Sequence, residues 1–235
     1  MKTLWIALVC AFCALPQAAR AACEEPAQVA MLREAEQLAE GAFARFDAEL
    51  LLTQASLARQ MLSCVQDVLT RQDAAAFHRL MALEAFFNRN YAQAQQELHA
   101  SLVLEPGYEF PAQMVSPGHK LLQLYEAAQT APAGEGEKIY PPPGGWVLVG
   151  GVRNAARYSQ TPVIMQVFSA DGLLRETRYV QPGESTPNWS GNAFGLTAAD
   201  IGIDLEELSR SRLPTDPRPW FVAAVVSAVA GGVLY

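Results

Sequence analysis

The chain has 235 residues, of which 51% are apolar and 17% are charged, so it can bury the core of one large domain or two small ones. Its formal net charge is -7 and it has no cluster of lysine and arginine, whereas binding to a nucleic-acid backbone depends on clustered positive charge. The composition therefore argues against a disordered chain and against a nucleic-acid-binding protein.

The amino-terminal segment, residues 1–21, has the pattern of a bacterial export signal. Lys2 precedes an apolar stretch from Leu4 to Leu15, and the sequence Ala-Arg-Ala at residues 19–21 has the small-x-small form that signal peptidase cleaves. We therefore expect export to the periplasm. An uncleaved amino-terminal anchor is one alternative. Lipidation of Cys23 is another, although an arginine stands where the lipidation pattern has leucine.

Cys23 and Cys64 are the two cysteines that lie beyond the predicted signal. Apolar residues recur at helical spacing over residues 26–46 and 48–69, and Asp47 stands where it would cap the second helix. Two helices with a short connection pack antiparallel, which brings the start of the first beside the end of the second. In an oxidising compartment we predict a disulfide between the two cysteines, with two free thiols as the alternative.

Residues 75–108 alternate small and large side chains in the way that two interlocking antiparallel helices require. The positions that carry this pattern are Met81, Ala82, Tyr91, Ala94, Leu98, Leu102 and Pro106. The segment resembles a tetratricopeptide repeat, a 34-residue helical hairpin. It departs from the family pattern at His78, Ala85 and Ser101, where Trp, Tyr and Ala are common.

The resemblance implies a scaffold that binds peptides or partner proteins. In this family the first helix of each repeat lines the concave groove, which nominates a set of polar residues for weak partner binding: His78, Arg79, Glu84, Asn88 and Asn90. A solvated helix face explains the same polar residues. Since one repeat cannot bury both its faces, we expect the two preceding helices and a fifth over residues 116–129 to complete a stack within a domain of residues 22–130.

A linker and a small β unit follow the helices. Residues 131–145 are rich in Pro, Gly and Glu without apolar periodicity, which predicts a linker. β-Branched and aromatic residues over 146–152, 161–168 and 173–180 predict an antiparallel sheet of three or four strands within a domain of residues 146–195. A unit of about 50 residues buries little core, so we expect it to pack on the helices or on a partner.

The carboxy-terminal part consists of a linker with a short helix, residues 196–219, and an uncharged apolar segment, residues 220–235. Trp220 and Tyr235 bracket that segment as membrane-interface aromatics do, although sixteen helical residues reach about 24 Å against a hydrocarbon layer of about 30 Å. We predict a transmembrane helix. A segment that continues in a longer protein, or one that docks on a partner, is the alternative.

The sequence carries no catalytic, cofactor-binding or metal-binding motif, and its three histidines are isolated from one another. We therefore expect an α+β protein that is not an enzyme and needs no cofactor. We expect it to act as a scaffold or adaptor in the cell envelope, binding a partner protein near the membrane. The alternative is a soluble periplasmic module that binds a small ligand or a cell-wall glycan, with Trp146 and Trp189 as platforms.

Overall fold

The computed structural model describes residue 23, residues 27–132 and residues 134–191 of the chain. Over this part five helices precede small antiparallel sheets, which confirms the predicted α+β class. No helix within these ranges is long and apolar enough to cross a membrane. The predicted export signal (1–21), the short helix (196–219) and the transmembrane segment (220–235) lie outside the described residues.

The elements follow one another in a simple order. The helices are α1 (Val29–Ala44), α2 (Ala48–Leu62), α3 (Arg71–Phe87), α4 (Tyr91–Leu104) and α5 (Lys120–Gln129). The strands are β1 (Gly136–Glu137), β2 (Trp146–Val149), β3 (Val152–Arg153), β4 (Arg157–Tyr158), β5 (Val163–Phe168) and β6 (Leu174–Val180).

Helices α1 and α2 form a hairpin whose open end is closed by the predicted disulfide. Cys23 and Cys64 are bonded with an S–S distance of 2.05 Å, and their Cα atoms lie 5.5 Å apart. At the other end of the hairpin, Asp47 accepts a hydrogen bond from the backbone N–H of Leu50 at 3.1 Å and so caps α2 as expected.

Helix α2 ends at Leu62, well before the limit that the apolar pattern predicts. The chain then turns to meet the start of α1, where the N–H of Ala27 donates to the carbonyl of Cys64 at 3.0 Å. In the same way, the carboxylate of Asp67 accepts from the N–H of Val29 at 3.0 Å and caps α1. The residues after α2 therefore bind the entry to α1 instead of extending the helix.

Helices α3 and α4 form a second hairpin over the segment that resembles a tetratricopeptide repeat. Thr70 and Asp73 make a capping box at the start of α3, and Asn90 caps α4. Ala82 and Ala94, two of the small residues in the matched pattern, are fully buried. The hairpin is present in the structure, but no repeat is identified in it. The resemblance to the tetratricopeptide family therefore stays a prediction.

The β unit consists of a four-stranded antiparallel sheet in the order β3-β2-β5-β6 and a separate two-stranded ladder of β1 with β4, which the sequence pattern did not predict. Gly150 and Gly151 connect β2 to β3 with φ of 54° and 75°, as a tight hairpin turn requires. A Cβ on Gly151 would lie 2.6 Å from the backbone nitrogen of Arg71, so this turn rests directly against the start of α3.

The four-stranded sheet packs against the helices, as its small size predicts. Ile164 belongs to the same apolar core as the helices. Gln166 on β5 is buried and binds the segment between α2 and α3: its Oε1 accepts from the N–H of Leu69 at 2.8 Å, and its Nε2 donates to the carbonyl of Asp67 at 2.9 Å. The hydroxyl of Thr177 on β6 donates to the carbonyl of Val65 at 3.2 Å.

Candidate functional site

The five residues nominated as a partner-binding groove lie in two different environments. Arg79 is buried and donates to Glu105 at 2.6 Å and to Glu36 at 3.0 Å. Glu84 is also buried, and its two carboxylate oxygens accept from the guanidinium of Arg59. Both residues are therefore held in ion pairs that connect α3 to other helices and the loop after α4.

Burial controls the protonation of the carboxyl beside Arg79. It raises the pKa of Glu36 to about 7, and the neighbouring charge of Glu40 adds to this rise while the charge of Arg79 opposes it. The folded protein therefore keeps a proton on Glu36 over a pH range in which the unfolded chain releases it, so its stability depends on pH.

His78 lies entirely inside the protein, in a polar chain that joins the helices to the sheet. Its Nδ1 lies 2.8 Å from one carboxylate oxygen of Glu97, and the hydroxyl of Tyr179 on β6 donates to the other oxygen. Burial raises the pKa of Tyr179 far above its usual range, so the phenol stays protonated and remains a donor. The His78 Nε2 has no hydrogen-bond partner among the described residues.

Asn88 and Asn90 are exposed, and they flank the turn between α3 and α4. Asn88 is the C-cap of α3. Asn90 is the N-cap of α4, and its side chain accepts a hydrogen bond from the N–H of Gln93. Between them lies Arg89, with a φ of 60°. Two of the five nominated residues thus surround a turn whose central side chain was not among them.

The turn between α1 and α2 has the same construction. Phe46 has a φ of 57°, its N–H donates to the carbonyl of Phe43, and the next N–H, of Asp47, donates to Ala42 at 2.9 Å. These two bonds define a Schellman motif, in which the left-handed position is normally glycine. After α3, Arg89 occupies the corresponding position with the same two bonds.

The two turns border a cleft of about 220 Å³, called here the aromatic cleft. Its ring-bearing residues are Phe43, Phe46, Phe86, Phe87, Tyr91 and His119. The ring of Phe86 contacts those of His119 and Tyr91, with centroids 5.4 and 5.6 Å apart. Phe46 is 85% exposed at the border of the cleft, so the cleft presents aromatic surface to solvent.

Two cationic side chains lie at the aromatic cleft. Arg89 lines it, and the ammonium of Lys120 lies 6.0 Å from the ring centre of Tyr91. Asp47 is its one acidic lining residue among those described, and that carboxylate is engaged in capping α2. The arrangement can accept an apolar side chain and can attract carboxylates beside it.

Sequence reasoning missed Phe46 because it continues the helical spacing of the apolar residues over 26–46 and was therefore predicted to be buried, whereas α1 ends at Ala44 and Phe46 is exposed. The available signal was local: a helix that ends just before an N-capping Asp47 normally carries Gly or Asn at that position, and here it carries Phe. Of the two tryptophans considered as glycan platforms, Trp189 is buried and Trp146 is partly buried. Trp189 is 2% exposed and donates its ring N–H to Glu176, and Trp146 stacks on Phe168 with ring centres 5.1 Å apart.

Among the described residues, no group of three or more His, Cys, Asp or Glu side chains is placed to hold a metal ion. The chemistry that the aromatic cleft offers is recognition through apolar contact and charge. Comparison of the chain with protein-family models, with curated proteins and with solved structures gives no match.

Proposed function

We propose that this chain is a non-catalytic adaptor of the bacterial cell envelope that binds a segment of a partner protein in the aromatic cleft. The observation that carries the proposal is the exposed phenyl ring of Phe46, held in a backbone conformation that favours glycine, at the border of a cleft made of other rings. An aromatic ring kept exposed at such a position has no role in the core.

The conformation of the two turns supports a role for their side chains. A left-handed residue other than glycine costs about 1 kcal/mol, and the chain accepts this cost in both turns that border the cleft, at Phe46 and at Arg89. Aromatic and arginine side chains are also the ones that contribute most at protein interfaces. Both features are expected where side-chain identity serves binding at the expense of local backbone stability.

The partner segment is defined by the shape and charge of the cleft. A volume of about 220 Å³ accommodates one large or two medium apolar side chains. Arg89 and Lys120 favour carboxylates near that anchor. We therefore infer an acidic segment with an aromatic or aliphatic anchor.

The cellular setting of the proposal rests on the two ends of the sequence. The predicted signal at residues 1–21 would export the chain, and residues 220–235 would hold it at the membrane. The disulfide supports this setting, since such bonds persist in oxidising compartments. Release of the protein by carbonate extraction would contradict the anchor while leaving the binding proposal intact.

The binding proposal is tested with short fluorescent peptides that carry a Phe-Leu pair between glutamates. Fluorescence anisotropy should show binding, and replacement of the glutamates by lysines, or of Phe-Leu by Ser-Ser, should abolish it. Phe46→Gly should weaken binding at least tenfold, since a buried interface aromatic typically contributes more than about 1.4 kcal/mol. Arg89→Gly should weaken it less and should reduce its dependence on salt.

Both variants place glycine where the backbone favours it, so loss of binding cannot be attributed to unfolding. For Phe46→Gly, relief of about 1 kcal/mol of backbone strain opposes the loss of the small buried part of the ring, and the free energy of unfolding should stay within about 1 kcal/mol of the parent. Leu173→Gly is the matched control, because this exposed leucine lies in the β5–β6 turn away from the cleft. Equal affinities for all three variants would contradict the proposal.

A further inference from the structure

The chain itself carries a segment with the chemistry that the aromatic cleft favours. Residues 200–208, with the sequence DIGIDLEEL, are called here the acidic segment. Four of these nine residues are acidic and none is basic: Asp200, Asp204, Glu206 and Glu207. All the others except Gly202 are aliphatic: Ile201, Ile203, Leu205 and Leu208. The acidic segment therefore places carboxylates directly beside apolar side chains.

The charges of the cleft and of the acidic segment are complementary. Arg89 lines the cleft and Lys120 lies beside it, and neither of them makes an ion pair with another described residue. Asp47, the one acidic lining residue among those described, is engaged in capping α2. Cationic side chains without a carboxylate partner attract carboxylates from another molecule. The acidic segment offers such carboxylates with no basic residue among them.

The apolar side chains of the acidic segment also suit the size of the cleft. A volume of about 220 Å³ accommodates two medium apolar side chains, and Ile203 and Leu205 are two such side chains separated by one residue. Asp204 and Glu206 adjoin them, so their carboxylates come close to the cations at the cleft when the two side chains enter it. The aromatic rings of the cleft supply apolar contact for both.

The reach of the chain favours a second copy as the source of the segment. Trp189 packs with Val147 and Val167, on the sheet face that is turned away from the helices. The cleft lies at the far end of α3, a helix of 17 residues and therefore about 25 Å long. The nine steps from Gly191 to residue 200 cover about 30 Å when fully extended. A segment of the same chain would have to pass the sheet and the length of α3 without slack, whereas a second copy meets no such restraint.

We propose that the aromatic cleft of one copy binds the acidic segment of a second copy. This inference rests on the proposed function, because it takes the same cleft and the same ligand chemistry. Two copies related by a two-fold axis exchange their segments reciprocally, which fills both clefts. A partner protein then has to displace the segment, so self-association and partner binding exclude each other at each cleft.

The proposal is tested by sedimentation equilibrium of the full chain and of two charge-reversed variants. The cleft variant is Arg89→Glu with Lys120→Glu, and the segment variant is Asp204→Lys with Glu206→Lys and Glu207→Lys. The parent should form dimers, and each variant alone should associate at least tenfold more weakly because like charges meet at the cleft. In an equimolar mixture, every cleft finds a segment of opposite charge on the other variant, so association should return.

Three outcomes of this experiment would overturn the proposal: a parent that stays monomeric, association that neither variant weakens, and a mixture that associates as weakly as the variants alone. The matched control is Glu34→Lys with Glu109→Lys and Glu135→Lys, three exposed positions that do not line the cleft. This control changes the net charge by the same amount as the segment variant and should dimerise like the parent. Equal weakening by the control would assign the effect to net charge and refute the proposal. Circular dichroism establishes that all variants are folded.

Peptide binding to the segment variant separates this proposal from the proposed function. Two fluorescent peptides are titrated into it by anisotropy: residues 198–209 of this chain, and the peptide with a Phe-Leu pair between glutamates. Both should bind, and addition of Phe46→Gly should weaken both at least tenfold. Binding of the Phe-Leu peptide without binding of residues 198–209 would overturn the present proposal and leave the proposed function intact. Binding of neither would overturn both.

Discussion

Gln166 offers the most direct test of how the sheet is attached to the helices. Its amide is 1% exposed and makes three hydrogen bonds: it accepts from Leu69, donates to the carbonyl of Asp67 and donates to the hydroxyl of Thr177 at 3.2 Å. Gln166→Leu keeps a side chain of similar size and removes all three bonds. Since Leu69 is itself buried, its N–H would lose its acceptor in a place that water does not reach.

The magnitude follows from these groups. A buried N–H that loses its acceptor costs about 1–3 kcal/mol. Loss of the bond to Asp67, an exposed residue whose carbonyl can turn to water, adds about 1 kcal/mol. We therefore expect the free energy of unfolding to fall by about 3 kcal/mol, which lowers the melting temperature by roughly 6–12 °C for a folded region of this size.

Urea unfolding followed by far-ultraviolet circular dichroism measures this change. Gln160→Leu is the matched control, because this glutamine is exposed in the β unit and should change stability by less than about 0.5 kcal/mol. Thr177→Val completes a double-mutant cycle, and its effect should not add to that of Gln166→Leu because the two side chains share a bond. A loss below about 1 kcal/mol for Gln166→Leu would refute the view that this side chain attaches the sheet to the helices.

Two further predictions concern the helices. Replacing Cys23 and Cys64 by serine should lower the free energy of unfolding by about 4 kcal/mol, because the disulfide closes a loop with a sequence separation of 41 residues and so reduces the entropy of the unfolded chain. The stability of this variant should not change when a reductant is added. A free energy of unfolding in urea equal to that of the parent would contradict the prediction. Because burial raises the pKa of Glu36 from 4.5 to about 7, the folded state keeps a proton that the unfolded state releases, so this group's stabilisation is complete below pH 4.5 and is lost as pH rises through 7. The free energy of unfolding of the parent, relative to that of Glu36→Gln, should fall by roughly 3 kcal/mol between pH 4.5 and 7. If the free energies of unfolding of the two proteins change with pH in parallel, the pKa of Glu36 is not raised and the prediction is wrong.

The sequence predicts best where a local rule decides the structure. Asp47 at the start of α2 is a capping residue by type, and the paired cysteines follow from two helices joined by a short turn. The end of α2 could not be predicted, because the pattern continues to Leu69 while hydrogen bonds to a segment near residue 27 terminate the helix. That competition is tertiary and leaves no periodic signal.

The candidate sites were harder to predict than the fold, because they depend on which side chains are exposed to solvent. Polar side chains at 78, 79 and 84 look like a solvated groove in sequence. In the structure, however, His78 is hydrogen-bonded to Glu97, and Arg79 and Glu84 are in ion pairs with residues of other helices, so all three are buried. Phe46 looks like one more core aromatic, yet the Schellman turn leaves it in solvent. Whether each of these side chains is buried or exposed depends on how the helices pair, which the sequence pattern does not show.

The polar contacts between sheet and helices also set the order in which the chain can fold. The bonds of Gln166 to Leu69 and of Thr177 to Val65 join residues 97 and 112 positions apart, whereas each helical hairpin closes between neighbours in the chain. Contacts between distant segments form late, because loop-closure entropy must be met before they contribute. The helices can therefore pair while residues 163–180 are still being synthesised. Until the sheet arrives, Tyr179 is missing and the buried face of α3 stays open to water, a stage at which the chain is most exposed to aggregation and proteolysis.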